Sequence, residues 1–310
     1  MIGIGGIASY IPSHSIDNIA QATKFGETSE FIENKIGALF LPTIGQGTET
    51  SDLAVQAVRN LCVEENLDQS KIDALIVVTQ NPDGQGLPHT AAIVQHKLGL
   101  SSEVAAFDIS LGCSGFVYGL SVMQGLMAQA GLNYGVLVTA DPYSKIVNRA
   151  DRVTSLLFGD AATATLVTRE AAWTFRKPIL ETDGSGANSL YVDGHKQLHM
   201  NGRHVFNFAS QRVPRQIDRF LEREGLVPGD IDVFCLHQGS AAILDAISRR
   251  YPNERNRFLK DVRETGNTVS SSIPLLLKKY VLGQSFDRVL ISGFGVGLSW
   301  ATNLIERVKV

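Results

Sequence analysis

Three observations predict an α/β chain built from two similar halves. Apolar strand-like runs alternate with amphipathic stretches along the 310 residues, the order that builds sheets covered by helices. Two distant segments, "LDQSKIDALIVVTQ" (67–80) and "LVPGDIDVFCLHQG" (226–239), share an amphipathic stretch, a short polar turn, Ile-Asp and an apolar strand. "YGVLVTAD" and "DRVLISGF" then repeat a later strand in the same relative place. Duplicated units of this kind suggest pseudo-twofold packing, with a site in the crevice where strand ends converge. The expected halves are residues 1–169 and 170–310.

The first half opens with a helix over Ser51 to Glu65, followed by the strand "DALIVVTQ" and a helix after Pro88. "EVAAFDIS" is the next strand, a helix follows Cys113, and "YGVLVTAD" and "SLLFGDAATATLVT" close the half. A loop-rich insertion spans Glu170 to Lys196. Beyond it come a helix near Val213 to Glu224, the strand "IDVFCLHQ", a helix after Ser240, and "RVLISGFGVGLSWATNLI".

Composition narrows the function. Hydrophobic residues make up 44% and charged residues 19%, with no long Pro/Gly/Ser linker, so the chain is globular rather than disordered. A net charge of −3 supplies no basic field, which argues against nucleic acid as a partner. Cys62, Cys113 and Cys235 are odd in number and lack CxxC spacing, so neither a disulfide framework nor a zinc ribbon is expected. No apolar run reaches the ~18 residues of a membrane span, and "MIGIGGIASYIPSHS" lacks a positive lead-in, so the expected location is the cytoplasm, away from membranes.

The chemistry concentrates at "AAFDISLGCSGFVYGL", where a strand breaks at Gly-Cys-Ser-Gly and helical spacing resumes. A residue in such a corner meets the unpaired N–H groups of a helix N-terminus, which favour negative charge. Cys113 is therefore expected to be a nucleophile with a lowered pKa, and Gly112 and Gly115 let the backbone turn and a substrate approach. The competing reading is a cysteine that simply packs, as Cys62 and Cys235 are expected to do. His237, at the end of "VFCLHQ", and Asn267, in the turn "TGNTVSSSIP", occupy element ends in the second half and are candidate partners. The glycine turn "ISGFGVGLSW" lacks a Walker spacing and a lysine, and its N–H groups could instead complete an oxyanion hole with the Cys113 amide. "GIGGIAS" is not read as a dinucleotide site, His195 and His199 are not read as metal ligands, and Asp160 is read as a structural hydrogen-bonding group.

Four motifs in this order, "DISLGCSGFVYGL", "LHQGS", "GNTVSSSIP" and "GFGVGLSW", resemble those of the β-ketoacyl-acyl-carrier-protein synthase III family. "SDLAVQAV", "LPHTAAIVQHKLGL", "LLFGDAATATLV" and "MNGRHVFNFA" extend the resemblance almost end to end. It implies a thiolase-like fold of two duplicated halves in αβαβα layers. It also implies that Cys113 takes an acyl group from a thioester, usually a CoA ester, and that His237 and Asn267 assist decarboxylative condensation with a malonyl thioester. Val296 would contribute to the oxyanion hole and Phe294 would pack near the catalytic pair. No metal or organic cofactor is implied, and a homodimer is.

Departures from the family pattern bear on binding. Phe31 and Lys35 stand where a Trp and an Arg usually grip the CoA adenine, and Leu87 stands where a Phe from the partner subunit often shapes the acyl pocket. After His237, Ser240 and Ala242 replace an Asn and a carrier-docking Arg. Arg249 and Arg250 on the same helix are candidate contacts for an acidic carrier protein or CoA phosphates. Two other functions stay open: acyl transfer from Cys113 to an oxygen or nitrogen acceptor, and a noncatalytic partner in a heteromeric synthase.

Overall fold

Leu75 and Val77 face one way from the strand Ala74–Val78, Ile76 and Val78 face the other, and all four are fully buried. A strand apolar on both sides must be covered on both sides, and this requirement organises the whole chain. The computed structural model describes residues 1–309. Its principal strands are β1 (Gly3–Tyr10), β2 (Ala74–Val78), β3 (Ala105–Ile109), β4 (Tyr134–Ala140), β5 (Ala162–Thr168), β6 (Trp173–Phe175), β7 (Ile179–Thr182), β8 (Val233–Leu236), β9 (Arg288–Gly295) and β10 (Ser299–Arg307). The helices that cover them are α1 (Thr50–Glu64), α2 (Thr90–Leu98), α3 (Gly115–Ala130), α4 (Gly202–Glu224), α5 (Ala241–Ser248) and α6 (Ser272–Tyr280).

The strands hydrogen-bond in the order β8-β9-β10-β6-β1-β5-β4-β2-β3, and β7 also pairs with β10. Each half repeats one pattern. β2 runs parallel to β4, which pairs antiparallel with β5; β8 runs parallel to β9, which pairs antiparallel with β10. A single parallel bridge, Phe234 to Phe258, stands beside β8 where β3 stands beside β2. The short β6 pairs with both β1 and β10 and so joins the halves.

The two halves of the sheet enclose α3 and α6. Phe116, Leu120 and Met123 of α3 and Ile273, Leu276 and Leu277 of α6 share one core with Ile76, Leu137, Cys235 and Ile291. Outside, α1 and α2 cover Leu75, Val77 and Val138, while α4 and α5 cover Phe234, Leu236 and Leu290. These are the αβαβα layers of the thiolase fold. Each large apolar side chain buried this way contributes about 1.5–3 kcal/mol, so the strands' double-sided burial holds the layers in register. No described helix is long and apolar enough to cross a membrane.

Two elements differ from expectation. The helix anticipated from Val213 begins at Gly202 and runs through Pro214. The proline reads as a start signal because it lacks an N–H, and inside a helix it costs about 3 kcal/mol. Here Asn201 caps the N-terminus by accepting the His204 N–H at 3.0 Å, and Phe208, Ala209 and Val213 bury the first turns, which offsets that cost. The insertion expected to be loop-rich contains β6, β7 and the first strand of a hairpin, Leu190–Val192 with Leu198–Met200.

Candidate active site

Cys113 lies between the end of β3 and the start of α3, with only 4% of its surface exposed. The hydroxyl of Ser114, the next residue, meets that of Ser299 at 2.9 Å, which ties this corner to the start of β10. Gly295 comes so close that a Cβ there would lie 2.7 Å from the Cys113 sulfur, so any larger residue would displace the nucleophile. The N–H groups of Val296 and of Cys113 itself donate to that sulfur and favour the thiolate. Burial nevertheless dominates, the Asp141 carboxylate adds to it, and the thiol is pushed up to about 12. The lowered pKa expected from the helix N-terminus is therefore corrected: in the resting site the sulfur is a protonated thiol, because desolvation and a nearby acidic group outweigh two amide donors.

His237 follows β8, and its backbone N–H donates to the Ser292 carbonyl at 2.8 Å. Its Nδ1 meets Ser272 Oγ at 2.8 Å, and its ring packs edge-on to Phe294 with centroids 5.4 Å apart. Burial pushes the imidazole down to about 3, with a partial offset from the Val269 backbone, so it is neutral. Asn267 is held by its loop. Its backbone bonds Leu157 and Gly159, and its Oδ1 accepts the Val269 N–H at 2.9 Å, which turns Nδ2 toward the Gly239 carbonyl at 3.5 Å. The loop is strained: Val269, a buried β-branched residue, has φ +52°. His237 Nε2 lies 3.6 Å from where a Gly239 Cβ would stand, so both side chains turn a nitrogen toward Gly239.

Gly239 lines a cavity of about 210 Å³. Cys113, His237, Asn267, Phe294 and Phe31 all line it, and its upper walls are apolar, from Ile36, Leu190, Met200, Val205 and Phe206. A neutral imidazole, a carboxamide, a thiol and two amide donors gathered in a mostly apolar cavity are equipped for chemistry at a thioester carbonyl.

Comparison with known proteins identifies the family. The family model for 3-oxoacyl-(acyl-carrier-protein) synthase III matches residues 107–184, and the model for its C-terminal part matches 221–307. The β-ketoacyl-(acyl-carrier-protein) synthase III of Lactococcus lactis is 34% identical, covering 97% of each chain, and that of Streptococcus agalactiae is 34% identical, covering 98% of each. The crystal structure of the Thermus thermophilus synthase III superimposes with a TM-score of 0.91 at 33% identity, covering 99% of this chain and 100% of that one. This chain belongs to the synthase III family. It is a condensing, acyl-transferring enzyme with the thiolase fold.

The remaining candidate residues of this synthase III family member lie outside the cavity wall. Val296 reaches Cys113 through its backbone, from the turn between β9 and β10. Lys35 is exposed on the turn Ile32–Ile36, whose last residue reaches the cavity. Leu87 is 91% exposed on the loop before α2. Arg249 and Arg250 are exposed just past the end of α5, and Ser240 and Ile243 at the other end of that helix line the cavity. His199 pairs with Asp193 at 2.8 Å, Asp160 accepts the N–H groups of Ile44 and Ser144, and the three cysteines are free.

Three residues carried no recognisable signal in the sequence. Asp141 ends β4's run into the site. Its Oδ1 accepts from the Gln80 N–H, the Asn81 N–H and Asn81 Nδ2 at 2.8–3.1 Å, while its Oδ2 is buried without a partner among the described residues. Burial pushes it up to about 7. Arg152 lines the cavity with Phe31 and pairs with Glu27. Ser272 holds the His237 ring.

Proposed function

We propose that the enzyme loads an acyl group from an acyl-CoA onto Cys113 and joins it to a malonyl thioester with loss of carbon dioxide. Attack by the sulfur places the carbonyl oxygen among the Val296 and Cys113 N–H groups, which hold the oxyanion, and the donor's thiol leaves. The malonyl thioester then occupies the same cavity. Its carboxylate departs as carbon dioxide, and the electron pair left behind is held as an enolate by N–H groups of His237 and Asn267 on the thioester oxygen. The enolate carbon attacks the acyl carbonyl, and the carbon–sulfur bond to Cys113 breaks. The observation that carries this reading is the convergence of His237 Nε2 and Asn267 Nδ2 on Gly239, in the cavity that also holds the Cys113 sulfur.

Phe31 and Arg152 offer an aromatic face and a cation where the cavity wall could hold a nucleotide end of the donor. Arg249 and Arg250 supply the positive surface for an acidic carrier protein, and Ala242 in place of the usual arginine points to a dedicated or specialised acyl pathway. The unpaired edge of β3 and the protruding Leu87 support a homodimer, with residues 1–169 and 170–310 as the halves of each protomer. Free cysteines suit the cytoplasm. Mass spectrometry after incubation with a panel of acyl-CoAs tests the loading step: an adduct on the Cys113 peptide, absent in Cys113→Ala, is expected. Discharge by a malonyl thioester with release of carbon dioxide tests the second step, and discharge by an alcohol or amine alone would overturn it.

A further inference from the structure

Behind His237 lies a second cavity of about 350 Å³, lined by Gln238, Thr268, Ser272, Leu275, Asp261 and Lys279 among others. Lys279 and Glu264 at its edge are exposed, so the cavity communicates with solvent. His237 lines the substrate cavity, Ser272 lines the second, and a 2.8 Å contact from Nδ1 to Oγ joins them. The pair therefore spans a thin partition between the two spaces.

The Ser272 hydroxyl has one proton and two positions for it. Its oxygen accepts the Gln238 N–H at 3.3 Å, and its proton points either to the Val269 carbonyl at 3.0 Å or to His237 Nδ1. The Val269 carbonyl also accepts the Ser272 backbone N–H, so it keeps a partner when the hydroxyl turns to the ring. In that orientation Nδ1 is the acceptor and Nε2 carries the proton that the enolate oxygen needs.

Condensation leaves the site one proton short. When the bond from the acyl carbon to Cys113 breaks, the electron pair stays on sulfur, and carbon dioxide carries no proton away. A thiol can be restored only by uptake of one proton per turnover, at a moment when product fills the substrate cavity. We propose that the second cavity is the inlet for this proton, with Ser272 and His237 as the relay. Water in that cavity gives a proton to Ser272 Oγ, Ser272 gives its own to His237 Nδ1, and Nε2–H passes to the Cys113 sulfur. Nε2 is then bare. In the next acylation it takes the thiol proton, Nδ1 returns one to Ser272, and the leaving thiolate is protonated from solution, so the relay is reset and one proton is consumed overall.

This route, which rests on the condensing reaction proposed above, is tested on acyl-enzyme mixed with malonyl thioester in weakly buffered solution containing a pH indicator. Product is quenched and counted while proton uptake is followed in the first seconds, before carbon dioxide hydrates. In the wild-type protein the two keep pace. Leu275→Trp narrows the second cavity and leaves Ser272 itself unchanged, and is expected to form first-turnover product at the wild-type rate with proton uptake lagging at least tenfold. Ser272→Ala should lag likewise and Ser272→Thr should restore coincidence. Proton uptake that keeps pace with product in both Leu275→Trp and Ser272→Ala overturns the relay. A wild-type protein that forms no product from malonyl thioester overturns the condensing reading and the relay with it, so the two failures are distinguished by the wild-type arm.

Discussion

Replacing Asp141 by asparagine probes the electrostatics that hold the nucleophile protonated. In the unfolded chain this carboxyl ionises near 3.8, whereas burial in the fold raises it to about 7. Below the lower value both states carry the proton and the group contributes its full stability. Between the two values the unfolded chain sheds its proton first, so stability falls as pH rises, and above about 7 the loss is complete. A shift of roughly three units at 1.36 kcal/mol each is a loss of about 4 kcal/mol across that window. Asparagine cannot ionise and retains an oxygen to accept from Gln80 and Asn81, but it buries an N–H group where Oδ2 lacks a partner. That penalty, about 1–3 kcal/mol, does not vary with pH. The decisive quantity is therefore the slope: urea denaturation from pH 4.5 to 8.5 should show Asp141→Asn gaining on the wild type by about 3 kcal/mol as pH rises, because part of the loss already lies below pH 4.5. Removing the acidic group should also speed alkylation of Cys113 at pH 8, because the Asp141 charge is one cause of the raised thiol. A stability difference that is flat with pH, or that shrinks as pH rises, would refute the assignment of a buried carboxyl forced toward neutrality.

Other consequences are equally direct. Iodoacetamide should alkylate Cys113 about tenfold faster per pH unit from 7 to 10, with no plateau, since the thiol is pushed up to about 12; a plateau below pH 8 would restore the thiolate reading. Gly295→Ala should cut Cys113 acylation at least about a hundredfold, because its Cβ would stand 2.7 Å from the sulfur. Gly125→Ala, on α3 with nothing within 4 Å, should leave acylation intact and stabilise by about 0.5–1 kcal/mol, read from thermal melts. Asn267→Ala should still form the acyl adduct while condensation falls by about 10²–10³, as for removal of one hydrogen-bond donor from a transition state. Reversing charge at Arg249 and Arg250 should weaken use of a malonyl carrier protein relative to malonyl-CoA, and equal effects on both would remove the docking role.

Much of this protein follows from local pattern. Strands such as Ala74–Val78 and Val233–Leu236 are apolar at every position, which dictates cover on both faces and hence layered helices. The Gly-Cys-Ser-Gly corner announces a strand-to-helix turn, and the motif order is specific enough to identify the family. Pro214 shows the limit of local signals: it reads as a helix start, and the tertiary burial of Phe208 and Val213 carries the helix through it.

Only the folded molecule decides what depends on distance and desolvation. The run Ser270-Ser271-Ser272 is three identical letters in the sequence. In the fold Ser271 bonds Thr139 and Ala161, the Ser270 hydroxyl has no partner among the described residues, and of the three Ser272 reaches His237. Cys113 likewise looks like an activated thiolate until its burial and the neighbouring Asp141 are seen. Secondary structure is set by residues a few positions apart, and sequence reports those faithfully. A pKa or a hydrogen-bonded relay is set by the water excluded and by groups that arrive from the other half of the chain.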